Sequence, residues 1–114
     1  MYEYKARCLK VVDGDTLDLE IDLGFRIKSY QRVRLARVNA PEVRGAERPE
    51  GLKAEHFVTE KLVDQYGPKE LYISTEKTGK YGRWIAEIQY PSEDGLVNLS
   101  DEMVKQDHAK YVEY

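Results

Sequence analysis

Three separated segments of this 114-residue chain carry residue types that could act together on a phosphate ester. They are Asp13-Gly14-Asp15-Thr16, Arg34-Leu35-Ala36-Arg37-Val38-Asn39-Ala40-Pro41-Glu42 and Lys80-Tyr81-Gly82-Arg83. Carboxylate and amide oxygens are the hard donors that Ca²⁺ and Mg²⁺ prefer. Arginine contributes a planar, permanently charged fork that matches the geometry of a phosphate. Each segment alone is weak, but a chain that gathers both kinds of group points to metal-assisted chemistry at a phosphodiester.

The elements that must position these groups follow from periodicity. Leu17, Leu19, Ile21 and Leu23 alternate with Asp18, Glu20 and Asp22, which is the period of a strand with one buried and one wet face. Gly24 interrupts it. Residues 25–30 are expected to continue the ribbon through a bend, with strand resuming over 32–38. Pro41 lacks an amide donor and ends the pairing, so Glu42 falls in a loop directly after a strand. Over 52–66 the apolar spacing turns helical through Ala54, Phe57, Val58 and Leu62, with Gly67-Pro68 as the expected stop. Two more strands are predicted over 71–75 and 84–90, joined by a turn with Gly79 and Gly82. Asn98 is placed to accept from the amide near Asp101 and so to start a second helix over 99–109, burying Met103 and Val104. Mostly antiparallel strands interrupted by one helix are the layout of a small Greek-key barrel of the oligonucleotide-binding type.

Length and charge set bounds on this reading. The chain is expected to form one domain over residues 1–114. A formal net charge of −3 argues against a passive nucleic-acid coat. The charge is uneven: between Phe25 and Arg48 lie seven basic residues (Arg26, Lys28, Arg32, Arg34, Arg37, Arg44, Arg48) against Glu42 and Glu47. A local basic patch on an acidic body suits a protein that grips one phosphate. Cys8 is the only cysteine, and His56 and His108 stand apart, which leaves no zinc-type cluster. No apolar run reaches membrane-spanning length and the first residues have no apolar signal core. The expectation is a protein without a membrane partner, in the cytoplasm or exported from a longer precursor form. Its oligomeric state is left open, with a monomer allowed.

The ordered set Asp13-Gly14-Asp15-Thr16, Val33-Arg34-Leu35 leading to Ala40-Pro41-Glu42, and Lys80-Tyr81-Gly82-Arg83 resembles the staphylococcal nuclease (thermonuclease) family. Val97-Asn98 and Ala109-Lys110 extend the similarity to roughly residues 5–112. The resemblance implies an α+β fold, mainly β: a five-stranded OB-fold Greek-key barrel with two packed helices, here without the family's further C-terminal helix. It also implies a calcium-dependent nuclease that hydrolyses DNA and/or RNA with low sequence specificity and leaves 3′-phosphate products. By the same resemblance Arg34, Glu42 and Arg83 are the catalytic residues. Asp15, Asn39, the Ala40 main-chain carbonyl and, through water, Glu42 hold Ca²⁺. Lys80, Tyr81 and Tyr111 contact the substrate.

The chain departs from the family pattern at Asn39, where the family has a second aspartate; the oxygen is kept and one negative charge is lost, so weaker calcium binding is expected. Asp107 replaces a frequent glycine, and aspartate tolerates left-handed geometry. Plainer roles are expected for several neighbours: Asp13 as a turn residue, Arg37 as a solvated strand charge, Asp18, Glu20 and Asp22 as a wet strand face, His56 and His108 as surface or packing residues, and Trp84 as a barrel aromatic. Two other functions compete with the nuclease: a catalytically silent nucleic-acid or protein binding module on the same barrel, and a calcium-responsive scaffold.

Overall fold

The computed structural model describes residues 2–77 and 84–112. Its five long strands are β1 (Tyr2–Asp13), β2 (Thr16–Asp22), β3 (Lys28–Leu35), β7 (Leu71–Lys77) and β8 (Trp84–Ser92). Between them in the chain come β4 (Val38–Asn39), a 3-10 turn (Gly45–Glu47), helix α1 (Arg48–Leu62) and the short strands β5 (Val63–Asp64) and β6 (Gly67–Pro68). After β8 follow β9 (Gly95–Asn98), helix α2 (Leu99–Lys105) and β10 (Lys110–Tyr111).

Strand β1 pairs antiparallel with both β2 and β7, β2 with β3, and β7 with β8. Parallel pairing of residues 33–35 with residues 84–86 then joins β3 to β8 and closes the ring. The result is a five-stranded mixed β-barrel with two helices. Closure leaves the long strands without a free lateral edge, which is how such a small sheet avoids pairing with other chains. The barrel interior is filled by the inward residues of every strand, among them Leu17, Leu19, Val33, Leu35, Leu71, Ile73 and Ile88, all 2% exposed or less. Helix α1 covers one side of the barrel with Ala54, Val58 and Leu62, and α2 adds Leu99 and Met103.

Several expected boundaries move. Helix α1 begins at Arg48, where Pro49 suits a first turn that has no intrahelical use for its amide. It ends at Leu62, four residues before the expected last helical residue, Tyr66. Val63 is already extended, and the Asp64 side chain accepts from Tyr66 N at 2.8 Å, which makes a local turn the better outlet for these amides than another helical turn. Gly67, at φ +110°, serves the β5–β6 hairpin rather than a helix end.

Residues 25–30 do not run on as one ribbon. Gly24, Phe25 and Arg26 all take left-handed backbone (φ 81°, 53° and 62°), and the chain reverses there before β3 starts at Lys28. Strand β1 is twelve residues long and carries register shifts between Cys8 and Lys10 and between Val11 and Asp13. Those irregularities break the alternation that would announce the strand in sequence. Helix α2 stops at Lys105, shorter than expected, but Asn98 Oδ1 accepts from Asp101 N at 3.0 Å as its start requires. Asp107 is left-handed at φ 64°, and His108 N donates to Met103 O at 2.8 Å to close the helix end.

Candidate nucleic-acid cleavage site

The site begins at the turn between β1 and β2. Gly14 is buried there, and a Cβ built on it would lie 2.9 Å from Ala54 Cβ, 3.1 Å from Ala40 Cβ and 3.2 Å from Met103 Cε. Glycine is required for close approach, with α1, α2 and the loop after β4 all pressing on one turn. That pressure fixes Asp15, which is 4% exposed.

The Asp15 carboxylate is bound by its neighbour Thr16 and by two other members of the site. Oδ2 accepts from Arg34 NH1 at 3.1 Å and from Ala40 N at 2.9 Å, and Oδ1 accepts from Thr16 Oγ1 at 3.1 Å. Arg34 reaches on with NH2 to Asn39 Oδ1 at 3.0 Å and to Val38 O at 3.2 Å. Asp15, Arg34, Asn39 and Ala40, from three elements, thus form one hydrogen-bonded group. The Asp15 and Arg34 side chains are 6% and 18% exposed. Removing one member of such a pair leaves an uncompensated charge in low dielectric, at a cost of about 3–5 kcal/mol.

Glu42 follows from Asn39 by way of Pro41. Its backbone is held from both sides. Asp13 Oδ1 accepts from Val43 N at 3.1 Å, and Arg48 NH1 donates to Val43 O at 3.0 Å. Gly51 of α1 lies so close that a Cβ there would overlap the Glu42 carbonyl. The Glu42 side chain is exposed, and among the described residues its carboxylate makes no hydrogen bond or ion pair.

Tyr111 sits on β10, whose residues pair with β4 as Lys110 with Asn39 and Tyr111 with Val38. Its hydroxyl donates to Asp101 Oδ1 at 2.8 Å, which raises the phenol's pKa. A cleft of about 410 Å³ runs between residues 39–41 and residues 107–112. Lys80, Tyr81 and Arg83 lie outside the described residues.

The expectation for Arg37 is overturned. It is not a solvated strand charge. It occupies the turn between β3 and β4 at φ 67°, binds Glu87 through Nε and NH2 at 2.9–3.2 Å, and donates from NH1 to Asp101 at 2.9 Å. Its guanidinium also lies 5.8 Å from the Tyr111 ring centre. The Asp101 carboxyl is held below its usual range chiefly by the hydrogen bond from Arg37. Asp13 is the last residue of β1, paired with Thr16 across the Gly14-Asp15 turn rather than lying in it, and it anchors the Glu42 loop. Asp18 and Glu20 pair with Arg32 and Lys28 on the wet face. His108 packs against Phe57 with ring centres 4.6 Å apart.

Gly51, Arg48 and the Arg37–Asp101 link are positioning residues that the sequence reading did not single out. Gly51 fell just outside the helix expected over 52–66, so no periodic signal marked it as a packing glycine; the observed helix, starting at Arg48, includes it.

The donors suit a divalent ion in kind: Asp15 carboxylate, Asn39 amide and Ala40 carbonyl are all hard oxygens. They carry little charge, and the guanidinium of Arg34 already neutralises Asp15. Among the described residues no group of three or more His, Cys, Asp or Glu side chains gathers to hold a metal, at this site or any other.

A closed five-stranded mixed barrel with two helices, and an Arg–Asp–Asn group beside the turn from β1 to β2, defines a protein of the OB-fold class. The chain belongs to the family described as Staphylococcal nuclease homologue, whose model matches residues 32–114. It is also 26% identical over 126 residues to an uncharacterized protein of Methanocaldococcus jannaschii, MJ1439, an alignment that covers 94% of this chain and 58% of that relative. The chain therefore spans less than two thirds of the relative's length. No helix among the described residues is long and apolar enough to cross a membrane.

Proposed function

We propose that the protein is a calcium-dependent phosphodiesterase that hydrolyses DNA and/or RNA with little sequence preference. The observation that carries this reading is the hydrogen-bonded group of Asp15, Arg34, Asn39 and Ala40, in which residues assigned to metal and phosphate lie within 3.2 Å of one another.

Asp15, Asn39 and the Ala40 carbonyl would hold the ion, with Glu42 reaching it through water. The chemistry that bound Ca²⁺ supplies is polarisation of the phosphoryl oxygens and orientation of water. The chain's own groups do the rest. Glu42 is free of other partners among the described residues, so its carboxylate is available to take the proton of an attacking water. Arg34 is bound to Asp15 and Asn39 by an edge of its fork, and its charge counters the growing negative charge of a five-coordinate phosphorus. Arg83 is assigned the same task near the leaving 5′ oxygen, so that the products carry 3′ phosphates. With a pKa above about 12 an arginine stabilises charge better than it gives up a proton.

Lys80 and Tyr81 are assigned to a neighbouring phosphate. Tyr111 is assigned to a base, where stacking on an aromatic ring is indifferent to sequence and contributes about 1–3 kcal/mol. The cleft between residues 39–41 and 107–112 gives that base a place to lie.

The test is digestion of single-stranded DNA by the purified protein with millimolar Ca²⁺. Short products that vanish on chelation are expected. Glu42→Ser should slow turnover far more than it weakens substrate binding, because the group acts on water rather than on the polymer. Intact substrate at high enzyme concentration refutes the proposal.

A further inference from the structure

We propose that the outer face of β1–β2–β3, together with the tip joining β2 to β3, docks on the surface of an anionic lipid bilayer. Absence of a spanning run led to the expectation of no membrane partner, but surface docking needs no such run.

Residues 22–28 are exposed without exception, so the tip projects from the barrel. Its outermost side chain is Phe25, 98% exposed, flanked by Leu23 at 45% and Ile27 at 56%. The tip is ordered rather than frayed. Leu23 N donates to Ile27 O and Ile27 N to Gly24 O, both at 2.9 Å, and Asp22 Oδ1 accepts from Gly24 N at 2.8 Å. Phe25 and Arg26 are left-handed at φ 53° and 62°, a conformation that disfavours side-chain-bearing residues. A backbone held against its preference, presenting an aromatic ring wholly to water, is a reason to look for a contact there.

Two further exposed apolar residues, Leu9 at 53% and Tyr30 at 65%, lie on the same three strands. Five of the nine large exposed apolar residues among those described fall on this one face and tip. Two acids of the face are paired, Asp18 with Arg32 and Glu20 with Lys28, leaving Asp22 at the base of the tip and Glu3 near the start of β1. Arg7, Lys10 and Arg26 make no ion pair among the described residues. The patch is therefore apolar and cationic on a chain whose net charge is −3.

Those features select the partner. Phe25 and Tyr30 carry rings on which a base would stack, but the other apolar members of the patch, Leu9, Leu23 and Ile27, are aliphatic and offer a nucleobase nothing, and a projecting tip has no groove of its own to receive a protein segment. An anionic bilayer accepts both parts, with the apolar tip in the acyl boundary and arginines and lysine at the headgroups. The register places the tip at the Asp22–Lys28 end of the ladder and the cleavage site at the Thr16–Arg34 end. Six residues of strand separate them, roughly 20 Å.

The test is co-sedimentation of the full chain with phosphatidylcholine vesicles, with and without phosphatidylserine. Phosphatidylserine-dependent binding is expected, lowered by salt and lowered about tenfold or more by Phe25→Ser, whose ring no longer leaves water. Because Phe25 is almost wholly exposed, the variant should melt like the parent and retain cleavage activity, and circular dichroism checks the first point. Equal sedimentation of parent and variant overturns the proposal. So does failure to bind phosphatidylserine vesicles, or a finding that Phe25→Ser instead abolishes binding of single-stranded DNA or dissociates a dimer of the parent.

Discussion

Replacing Gly51 by alanine sets two physical effects of opposite sign against each other. In an exposed helix interior the change is favourable by about 0.8–1 kcal/mol, because glycine has more backbone freedom to lose. At position 51, however, the added methyl would overlap the main-chain carbonyl of Glu42, with Val43 N also within 3 Å. The obstacle is backbone, pinned by Asp13 and Arg48, so it cannot rotate aside. Overpacking of this kind costs typically about 1–3 kcal/mol. The net expectation for Gly51→Ala is a loss of up to roughly 2 kcal/mol, which for a domain of this size lowers the melting temperature by up to about 8 °C.

The catalytic consequence should be larger. A loop displacement on the order of 1 Å at a reacting group can cost about 100-fold in rate. Turnover is therefore expected to fall by about 10–100-fold, whereas KM should change little because Arg34 and Asp15 are untouched. Thermal unfolding followed by circular dichroism and a Ca²⁺-dependent digestion series read the two effects. A variant that melts higher than the parent, with unchanged turnover, would refute the argument that Gly51 positions Glu42.

Asn39→Asp should lower the Ca²⁺ concentration needed for half-maximal cleavage by on the order of tenfold, since a charge is restored to the donor set; an unchanged calcium titration would show that Asn39 is not a ligand. Burial pushes the Cys8 thiol up from 9.0 to about 11. A folded-state pKa above the unfolded one means that the stability held in the neutral thiol is complete below about pH 9 and is lost as pH rises toward 11. Native protein at pH 8 should therefore react with a thiol reagent far more slowly than protein in urea, and Cys8→Ala should flatten the fall of stability between pH 9 and 11. Equal labelling of native and unfolded protein would contradict the burial of Cys8.

How much was legible in sequence depended on whether local chemistry and tertiary packing agreed. In β2 they agree: Leu17, Leu19 and Ile21 alternate with acids and all face the core. The pattern stops at Ile21, and Leu23, which continues the alternation on paper, is 45% exposed because it belongs to the tip. In β1 they conflict, since each register shift moves the following residues to the other face and leaves Leu9 outside. Helix α1 was legible as a helix, but its limits were set by Pro49 at one end and by a side-chain turn at Asp64 at the other.

By itself the sequence pointed to a class of chemistry, because acids, an amide and arginines interleaved as Asp15, Arg34, Asn39, Glu42 and Arg83 suggest oxygen ligands and phosphate without any coordinates. It also determined the family, through motifs too widely spaced to arise from one local structure. The tertiary structure alone decided which oxygens Arg34 binds, that Asp13 and Gly51 hold the backbone at Glu42 and Val43, and that Arg37 links Glu87 of β8 to Asp101 of α2. Those partners lie up to 64 residues apart in the chain. No periodicity encodes a contact at that separation; it exists only when the ring of strands has closed and the helices have been pressed onto it.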